Sequence, residues 1–199
     1  MNTNVSLASA NNSDLAQLRQ LLLELLVKLA YKEGDFLLSS GQRSSYYING
    51  KQVTLTAEGA LIIGRLLFAM LPENTSAVAG LTLGADPIVT AVSVVSALAN
   101  QPLPALIVRK KAKGHGTQAY IEGPQLEPGS KVIVLEDVVT TGRSAMLAVE
   151  RLQAAGYKVD QIISLVDRQQ GGEEFYQSQG IKFEAIFPIT EIQEYARQA

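Results

Sequence analysis

Two adjacent carboxylates separate an apolar run from a hydroxyl-rich turn in residues 131–144, KVIVLEDVVTTGRS. The apolar run is typical of a strand buried on both faces of a parallel sheet. Glu136 and Asp137 are therefore expected at its carboxyl end, where open α/β sheets bind ligands. The turn before a predicted helix at 143–155 carries hydroxyl and main-chain N–H groups, from Thr140, Thr141, Gly142 and Ser144. Such groups cradle a phosphate, and the acids suit sugar hydroxyls, so the segment indicates a ribose phosphate site.

A cluster of basic residues lies upstream, in residues 109–115. Its members are Arg109, Lys110, Lys111, Lys113 and His115. The cluster opens a long loop at 110–130, and loops of this length are usually functional or disordered. A cationic lid suits a reaction that moves an anionic group and excludes water, whereas the alternative is a solvated basic loop. Nucleic-acid binding is disfavoured, because Tyr120 is the only aromatic side chain nearby.

The bulk composition excludes several classes of function. The 199 residues carry a net charge of −2, which gives no general attraction to nucleic acid. The absence of cysteine excludes disulfides, thiolate metal sites and cysteine nucleophiles, and a single histidine argues against a histidine zinc site. The polar N-terminus does not resemble a secretory signal, and no apolar stretch reaches the ~20 residues of a membrane span. The sequence predicts a cytoplasmic protein, with no membrane partner and a disordered tail at 1–13.

Alternating strand and helix patterns predict an α/β fold, an open, mostly parallel twisted sheet flanked by helices. The predicted strands are 77–81, 105–109, 131–136, 161–166 and 183–187, and the predicted helices are 57–71, 87–99, 143–155 and 173–178.

The N-terminal part is expected to form a helix and a small hood. Asp14 is a suitable cap for a leucine-striped helix that reaches residue 33, and its stripe predicts packing on the core or on another subunit. Residues 46–48 and 53–55, on either side of Asn49 and Gly50, predict a strand pair or a strand followed by a loop. The expected organisation is a single domain at 14–199, with the helix and hood at about 14–55 and the core at about 56–188.

Other phosphate and nucleophile motifs are missing from the sequence. It contains no G-x-x-x-x-G-K-[ST] loop, no G-x-G-x-x-G after a first strand, and no G-x-S-x-G elbow.

Residues 136–144, EDVVTTGRS, resemble the phosphoribosyl-pyrophosphate (PRPP) signature of type I phosphoribosyltransferases. Within that superfamily, residues 109–116, RKKAKGHG, resemble the catalytic lid of orotate phosphoribosyltransferases. Three further segments agree, at 36–48, 80–88 and 166–170, and the similarity covers roughly 14–188. The resemblance implies the type I phosphoribosyltransferase fold.

The resemblance also implies an activity: transfer of ribose 5-phosphate from PRPP to orotate, which forms orotidine 5′-phosphate and pyrophosphate for pyrimidine synthesis. It implies Mg²⁺ as the cofactor, bound mainly through PRPP rather than by a protein site. It implies a homodimer in which the lid at 109–115 completes the neighbouring site. The implied PRPP-binding residues are Arg109, Lys110, Lys113, His115, Glu136, Asp137, Val138, Val139, Thr140, Thr141, Gly142, Arg143 and Ser144.

Individual roles follow from the same resemblance. Lys113, His115 and Asp137 would be the catalytic residues, the first two by stabilising charge or delivering a proton at the leaving group. Thr140 and Arg168 would bind orotate, since guanidinium suits a two-pronged contact with a carboxylate, although a surface arginine is the alternative.

The same resemblance implies that residues 80–86 form the pyrophosphate loop, with a cis peptide bond near Thr82–Leu83. Three other residues keep two interpretations each. Arg143 could add charge at the phosphate or face solvent. Tyr46 and Tyr47 could form walls for a flat pyrimidine or belong to core and edge.

Two residues depart from the family pattern. Ser39 replaces a lysine that many bacterial relatives carry, and Lys111 stands where relatives often carry an acid. The alternatives to orotate transfer are a type I phosphoribosyltransferase for another base, a non-catalytic PRPP-sensing regulator, and an interaction subunit with a vestigial site. Arg168 and the basic lid oppose another base, because orotate is an anion.

Overall fold

The structure is a computed structural model that describes residues 14–37, 43–112 and 120–198. Its strands are β1 (Tyr31–Leu37), β2 (Arg43–Ile48), β3 (Ala77–Leu81), β4 (Ala105–Val108), β5 (Ile121–Glu122), β6 (Val132–Val139), β7 (Gln161–Asp167) and β8 (Lys182–Pro188). Its helices are α1 (Leu15–Leu25), which continues as a π-helical segment (Leu26–Ala30), α2 (Lys51–Thr54), α3 (Ala57–Met70), α4 (Asp86–Leu98), α5 (Arg143–Ala154), α6 (Gly172–Ser178) and α7 (Ile189–Gln198).

The main sheet has six strands in the order β5-β4-β3-β6-β7-β8. All neighbouring strands run parallel except β4 and β5, which are antiparallel. From β3 the chain moves to β4 on one side, and it later returns through β6 to β7 on the other side. The strand order thus reverses between β3 and β6, and the crevice at such a switch point is where open α/β sheets bind ligands.

Two apolar layers bury the main sheet. Alternate β6 residues face opposite layers: Ile133 and Leu135 pack with α1, α3 and α4, whereas Val132 and Val134 pack with α5. Each such side chain contributes roughly 1.5–3 kcal/mol when it is fully buried. The buried strand therefore holds its carboxyl end firmly in place, and the acids stand at that end.

The predicted mostly parallel sheet and its flanking helices are confirmed. The helix predicted to reach residue 33 ends at Ala30, because the chain becomes extended at Tyr31 (φ −90°, ψ 138°). Residues 31–33 lie in β1 and pair with 46–48 of β2. The strand predicted at 53–55 is wrong, since the N–H groups of Val53 and Thr54 both donate to the carbonyl of Gly50 at 2.9 Å and form a helical turn.

Three further details differ from the sequence prediction. β6 extends to Val139, three residues beyond the predicted end at Glu136, so both acids lie in the carboxyl-terminal half of the strand. The short strand β5 and the C-terminal helix α7 were not predicted. The tail at 1–13 lies outside the described residues, and no helix within those residues is long and apolar enough to cross a membrane.

Candidate active site

A cleft of about 400 Å³ opens at the carboxyl ends of β3 and β6. Five segments form its walls: the end of β2 with α2, the loop after β3, a residue after β4, the end of β6 with the following turn, and the residue after β7. The lining residues are Tyr47, Ile48, Asn49, Gly50, Lys51, Leu81, Thr82, Leu83, Gly84, Lys110, Glu136, Asp137, Val138, Thr140, Ser144 and Arg168. The topology thus brings together most of the residues implicated from the sequence.

The two acids of β6 have different surroundings. Asp137 accepts a hydrogen bond from the N–H of Val138 at 2.9 Å, and its Oδ2 lies 3.9 Å from Nζ of Lys51. Glu136 accepts from the N–H of Asp137 at 3.3 Å through Oε1, but no described residue donates to its Oε2. Burial, reinforced by the nearby charge of Asp137, raises the pKa of Glu136 well above its usual value. The negative charge of Asp137 is therefore partly offset by Lys51, whereas Glu136 resists ionisation.

The turn from β6 into α5 encloses a smaller cavity of about 80 Å³. Gly142 adopts a left-handed conformation (φ +80°) at the start of α5, whose first N–H groups have no partner within the helix. A Cβ on Gly142 would lie 2.8 Å from Cε1 of Tyr176, so the ring occupies the space beneath the turn. The cavity is lined by Glu136, Val138, Val139, Thr140, Thr141, Gly142, Arg143, Ser144 and Tyr176. Its size, free N–H groups and hydroxyls suit a phosphate.

The loop after β3 forms the opposite wall of the cleft. Its Thr82–Leu83 peptide bond is cis, which confirms the prediction. A Cβ on Gly84 would lie 2.6 Å from Oδ1 of Asp137, so only glycine allows the loop to approach the acid this closely. Thr82 donates to Oδ2 of Asp86 at 2.9 Å, while Oδ1 of Asp86 is buried and receives no hydrogen bond from the described residues.

Arg168 lies in the cleft and is almost completely buried. Its Nε donates to the hydroxyl of Tyr46 at 3.1 Å, and its Nη2 lies 3.4 Å from Oγ of Ser44. The guanidinium carbon is 4.7 Å from the Tyr46 ring centroid. The surface-arginine interpretation is therefore wrong. Tyr46 is a buried support for Arg168, whereas Tyr47 is 42% exposed and lines the cleft.

The basic cluster is described only in part. Lys110 lines the cleft, whereas Nη1 of Arg109 donates to Oε1 of Glu122 at 3.0 Å and its side chain is not among those lining the cleft. Lys111 is exposed. Lys113, His115 and Ser39 lie outside the described residues.

Three residues of the site were not identified from the sequence as functional. Asn49 and Lys51 line the cleft, and their polar types directly after an apolar strand were the available signal. Tyr176 lies in α6, 34 positions after Gly142 in the sequence, and only the tertiary fold reveals their contact. No group of three or more Asp, Glu, His or Cys residues that could hold a metal is found in the part of the chain that the structure describes.

No protein-family model matches the chain. An orotate phosphoribosyltransferase from Synechocystis sp. is 69% identical over 196 residues, which cover 98% of this chain and 99% of the relative.

Solved structures agree with that relative. An orotate phosphoribosyltransferase from Mycobacterium tuberculosis, in complex with Fe(III) dicitrate, is 36% identical with a TM-score of 0.78, and the match covers 88% of this chain and 98% of that one. The same enzyme in complex with PRPP is 33% identical with a TM-score of 0.74, over 88% and 99% of the two chains. Identity at this level over nearly the whole length, together with the same fold, means that the chain belongs to the orotate phosphoribosyltransferase family.

Proposed function

We propose that the chain transfers ribose 5-phosphate from PRPP to orotate and releases orotidine 5′-phosphate and pyrophosphate. The observation that carries the proposal is the joining, in one cleft, of a phosphate turn, an acid pair and a buried arginine. These groups match the three chemical parts of the product: a phosphate, a ribose and an anionic base. Each part is therefore met by a group of the opposite charge or hydrogen-bonding type.

The phosphate turn would hold the 5′-phosphate of PRPP. The N–H groups in the first turn of α5 have no partner within the helix and form the positive end of its dipole, which favours an anion. The hydroxyls of Thr140, Thr141 and Ser144 add donors, and Arg143 lines the same cavity. This anchoring fixes the sugar in place before the reaction begins.

The acid pair would hold the ribose. Asp137, which is balanced by Lys51, can accept hydrogen bonds from the ribose hydroxyls and favour the positive charge that develops on the sugar as pyrophosphate leaves. Glu136 lines both the cleft and the phosphate cavity, so its carboxyl can meet the other ribose hydroxyl, and burial raises its pKa, which reduces its repulsion of the phosphate.

Arg168 would bind the carboxylate of orotate. Tyr46 and Ser44 hold its guanidinium from one side, so it is oriented before the substrate arrives. Thr140 lies in the same cleft, and exposed Tyr47 offers an apolar face to the pyrimidine ring. A purine base lacks the carboxylate and would leave the buried cation unpaired.

Lys110 would meet the pyrophosphate group from within the cleft. Following the resemblance, Arg109, Lys113 and His115 would act on the neighbouring subunit's pyrophosphate, with Lys113 and His115 stabilising the leaving group. The side chain of Arg109 pairs with Glu122 and does not line its own cleft, so this ion pair would have to open for Arg109 to act in the neighbouring site.

A homodimer is supported by an exposed apolar groove of about 650 Å³ between α3 and α4. Leu55, Val94 and Leu98 line it, and their side chains are 69%, 55% and 76% exposed. Apolar side chains gathered in this way mark an interaction surface. The groove begins near the cleft, since Leu55 closely follows Lys51, so a second copy seated there would bring its basic loop close to this site.

Mg²⁺ is the proposed cofactor. It commonly binds through one or two carboxylates together with substrate phosphates, so it needs no cage made by the protein alone. Asp137 fits such a partial set, since its carboxylate faces the cleft where the pyrophosphate would lie. When bound, Mg²⁺ would neutralise the charge of the leaving pyrophosphate. The predicted cytoplasmic location is part of the same proposal.

The experiment that tests the reaction compares bases under identical conditions. The purified chain is incubated with PRPP, Mg²⁺ and either orotate, uracil, adenine or hypoxanthine, and pyrophosphate release is measured. We expect release with orotate alone. Release with a purine and none with orotate would favour a transferase for another base, and PRPP binding without release would favour a sensor.

A further inference from the structure

The segment that carries the basic cluster, here called the basic loop, is entered through residues 109–110 (the first stem) and left through residues 120–122 (the second stem). Arg151 contacts both stems. On the first stem, its Nη1 donates to the carbonyl of Arg109, and its Nη2 donates to the carbonyl of Lys110 at 3.1 Å. On the second stem, its guanidinium carbon lies 4.0 Å from the ring centroid of Tyr120. One side chain on α5 therefore holds both ends of the segment between residues 110 and 120.

The two stems are also joined to each other. The N–H of Arg109 donates to the carbonyl of Tyr120 at 2.7 Å, and the Arg109 side chain pairs with Glu122 at 3.0 Å. These contacts join the stems to each other at the end of β4, which pairs with β3 in the main sheet. Arg151 adds a second attachment, because it belongs to α5, which packs on a face of that sheet.

We propose that Arg151 is a positioning residue for the transfer reaction, which holds the joined stems of the basic loop at a fixed place on α5. This inference rests on the proposed function, because it acts through the loop that carries Lys113 and His115. Arg151 itself is absent from both cavities of the site. Its effect on the reaction would therefore be indirect.

The geometry of α5 explains why this position matters. The helix begins at the phosphate turn with Arg143 and reaches Arg151 eight residues later, a rise of ~12 Å. A rigid helix thus holds the loop, which would serve the neighbouring site, at a fixed place relative to the phosphate turn of its own subunit. Displacing a catalytic group by about 1 Å can cost on the order of 100-fold in rate.

Arginine is the residue type that this role requires. Its planar guanidinium can donate to two neighbouring carbonyl oxygens while its face stacks on an aromatic ring. Lysine keeps the positive charge but lacks the fork and the flat face. Methionine keeps an unbranched side chain but removes every donor.

The test compares Arg151→Met and Arg151→Lys with wild type and with Glu150→Gln, a control at the neighbouring exposed position of α5. We expect kcat to fall at least about tenfold in Arg151→Met and less in Arg151→Lys. The dissociation constant of orotidine 5′-phosphate should change by less than about twofold, since this product carries no pyrophosphate to contact the loop. An equal weakening of product binding would indicate a general structural defect and overturn the proposal.

A double-mutant cycle shows whether Arg151 acts through the loop. In a Lys113→Ala, His115→Ala background, Arg151→Met should lower kcat by less than about twofold, because the loop then carries neither of the leaving-group residues through which Arg151 would act. If Arg151→Met lowered kcat by the same factor in this background as in wild type, the proposal would be overturned.

A second readout does not depend on turnover. Trypsin should cleave after Lys110 and Lys111 several times faster in Arg151→Met than in wild type or in Glu150→Gln, and equal cleavage rates would overturn the proposal. If wild type itself does not turn over orotate, the proposed function fails while the trypsin comparison still tests Arg151.

Discussion

Glu136 and Asp137 are adjacent in the sequence, yet their surroundings give them different properties. Asp137 faces the cleft near Lys51, whereas Glu136 is buried with one oxygen that no described residue contacts. The hydroxyl of Tyr176, which lines the same small cavity, also lacks a described partner, and burial raises its pKa. Tyr176 therefore stays protonated and can act as a donor toward the anionic region.

The raised pKa of Glu136 predicts a pH-dependent stability. A carboxyl whose pKa is higher in the folded than in the unfolded protein contributes its full stability below about pH 4.5, and that contribution is lost as pH rises through the folded pKa. Glutamine does not ionise, so the Glu136→Gln variant does not lose this stability as pH rises. The melting temperature of Glu136→Gln relative to wild type should therefore increase as pH rises from 4.5, as measured by thermal denaturation. Glu150→Gln on α5 is the control, and a Glu136→Gln difference that is constant with pH would refute the explanation.

Arg168 should determine the affinity for orotate. Arg168→Met removes a charged hydrogen-bond donor worth about 1.5–3 kcal/mol, so KM for orotate should rise about 10- to 100-fold. The dissociation constant of PRPP should stay close to wild type, because Arg168 contacts neither phosphate region. Steady-state kinetics and calorimetry measure the two quantities.

Lys182→Met provides a matched control for Arg168→Met, since it removes a cation at the amino end of β8, the far edge of the sheet. An unchanged KM for orotate in Arg168→Met would remove Arg168 from the base site.

Among the secondary-structure elements, the turn between β6 and α5 depends for its conformation on a single residue, Gly142. Gly142 combines a left-handed backbone with close contact to the Tyr176 ring. Two independent constraints therefore favour glycine at this position.

Gly142→Ala should destabilise the protein by about 1–3 kcal/mol and weaken PRPP binding, because the turn or Tyr176 must move. The control is Gly156→Ala at the other end of α5, where φ is +89° but a Cβ would meet nothing within 4 Å. Denaturant unfolding should show a smaller loss for Gly156→Ala, and PRPP binding by that variant should remain at the wild-type level. Equal effects of the two substitutions would mean that backbone strain alone matters at Gly142.

The elements that the sequence predicted well are those with a strong local signal. β3, β6 and β7 are buried apolar runs, and their alternation with amphipathic helices indicates a parallel sheet. The hood was predicted less well, because β1 pairs with residues 6 to 17 positions further along the sequence, and such a partner cannot be read from a local pattern. The short strand β5 has only two residues and carries no periodic signal.

The same distinction applies to the site. Residues 136–144 are contiguous and form a recognisable segment, so they were identified together. The support of Arg168 by Tyr46 joins residues 122 positions apart, and the contact of Arg151 with the loop joins residues about 40 apart. Such contacts depend on the tertiary fold and leave no local signature.

For the assembled protein, we propose a homodimer in which each subunit completes the other's site. The exposed groove between α3 and α4 provides an apolar surface, and the basic loop is expected to complete the partner's site. If two subunits share each site, two variants with different defects should restore activity when mixed, which a monomeric enzyme would not do.

Two inactive variants should complement each other. Asp137→Asn damages the cleft, and Lys113→Ala damages the loop, so a mixed dimer holds one site with both parts intact. After dissociation and random re-association, about a quarter of wild-type activity should return, because half of the dimers are mixed and each has one intact site. Mixing Lys113→Ala with His115→Ala should restore nothing, since both changes affect the loop. Failure of the first mixture to recover activity would mean that the loop serves its own subunit.

Whether this cleft joins orotate to ribose 5-phosphate is tested by incubating the purified chain with PRPP, Mg²⁺ and orotate, and by quantifying orotidine 5′-phosphate and pyrophosphate by chromatography with mass detection. We expect equal amounts of both products, and strongly reduced amounts with Asp137→Asn. Pyrophosphate without orotidine 5′-phosphate, or neither product from a folded protein that binds PRPP, would refute the proposed transfer.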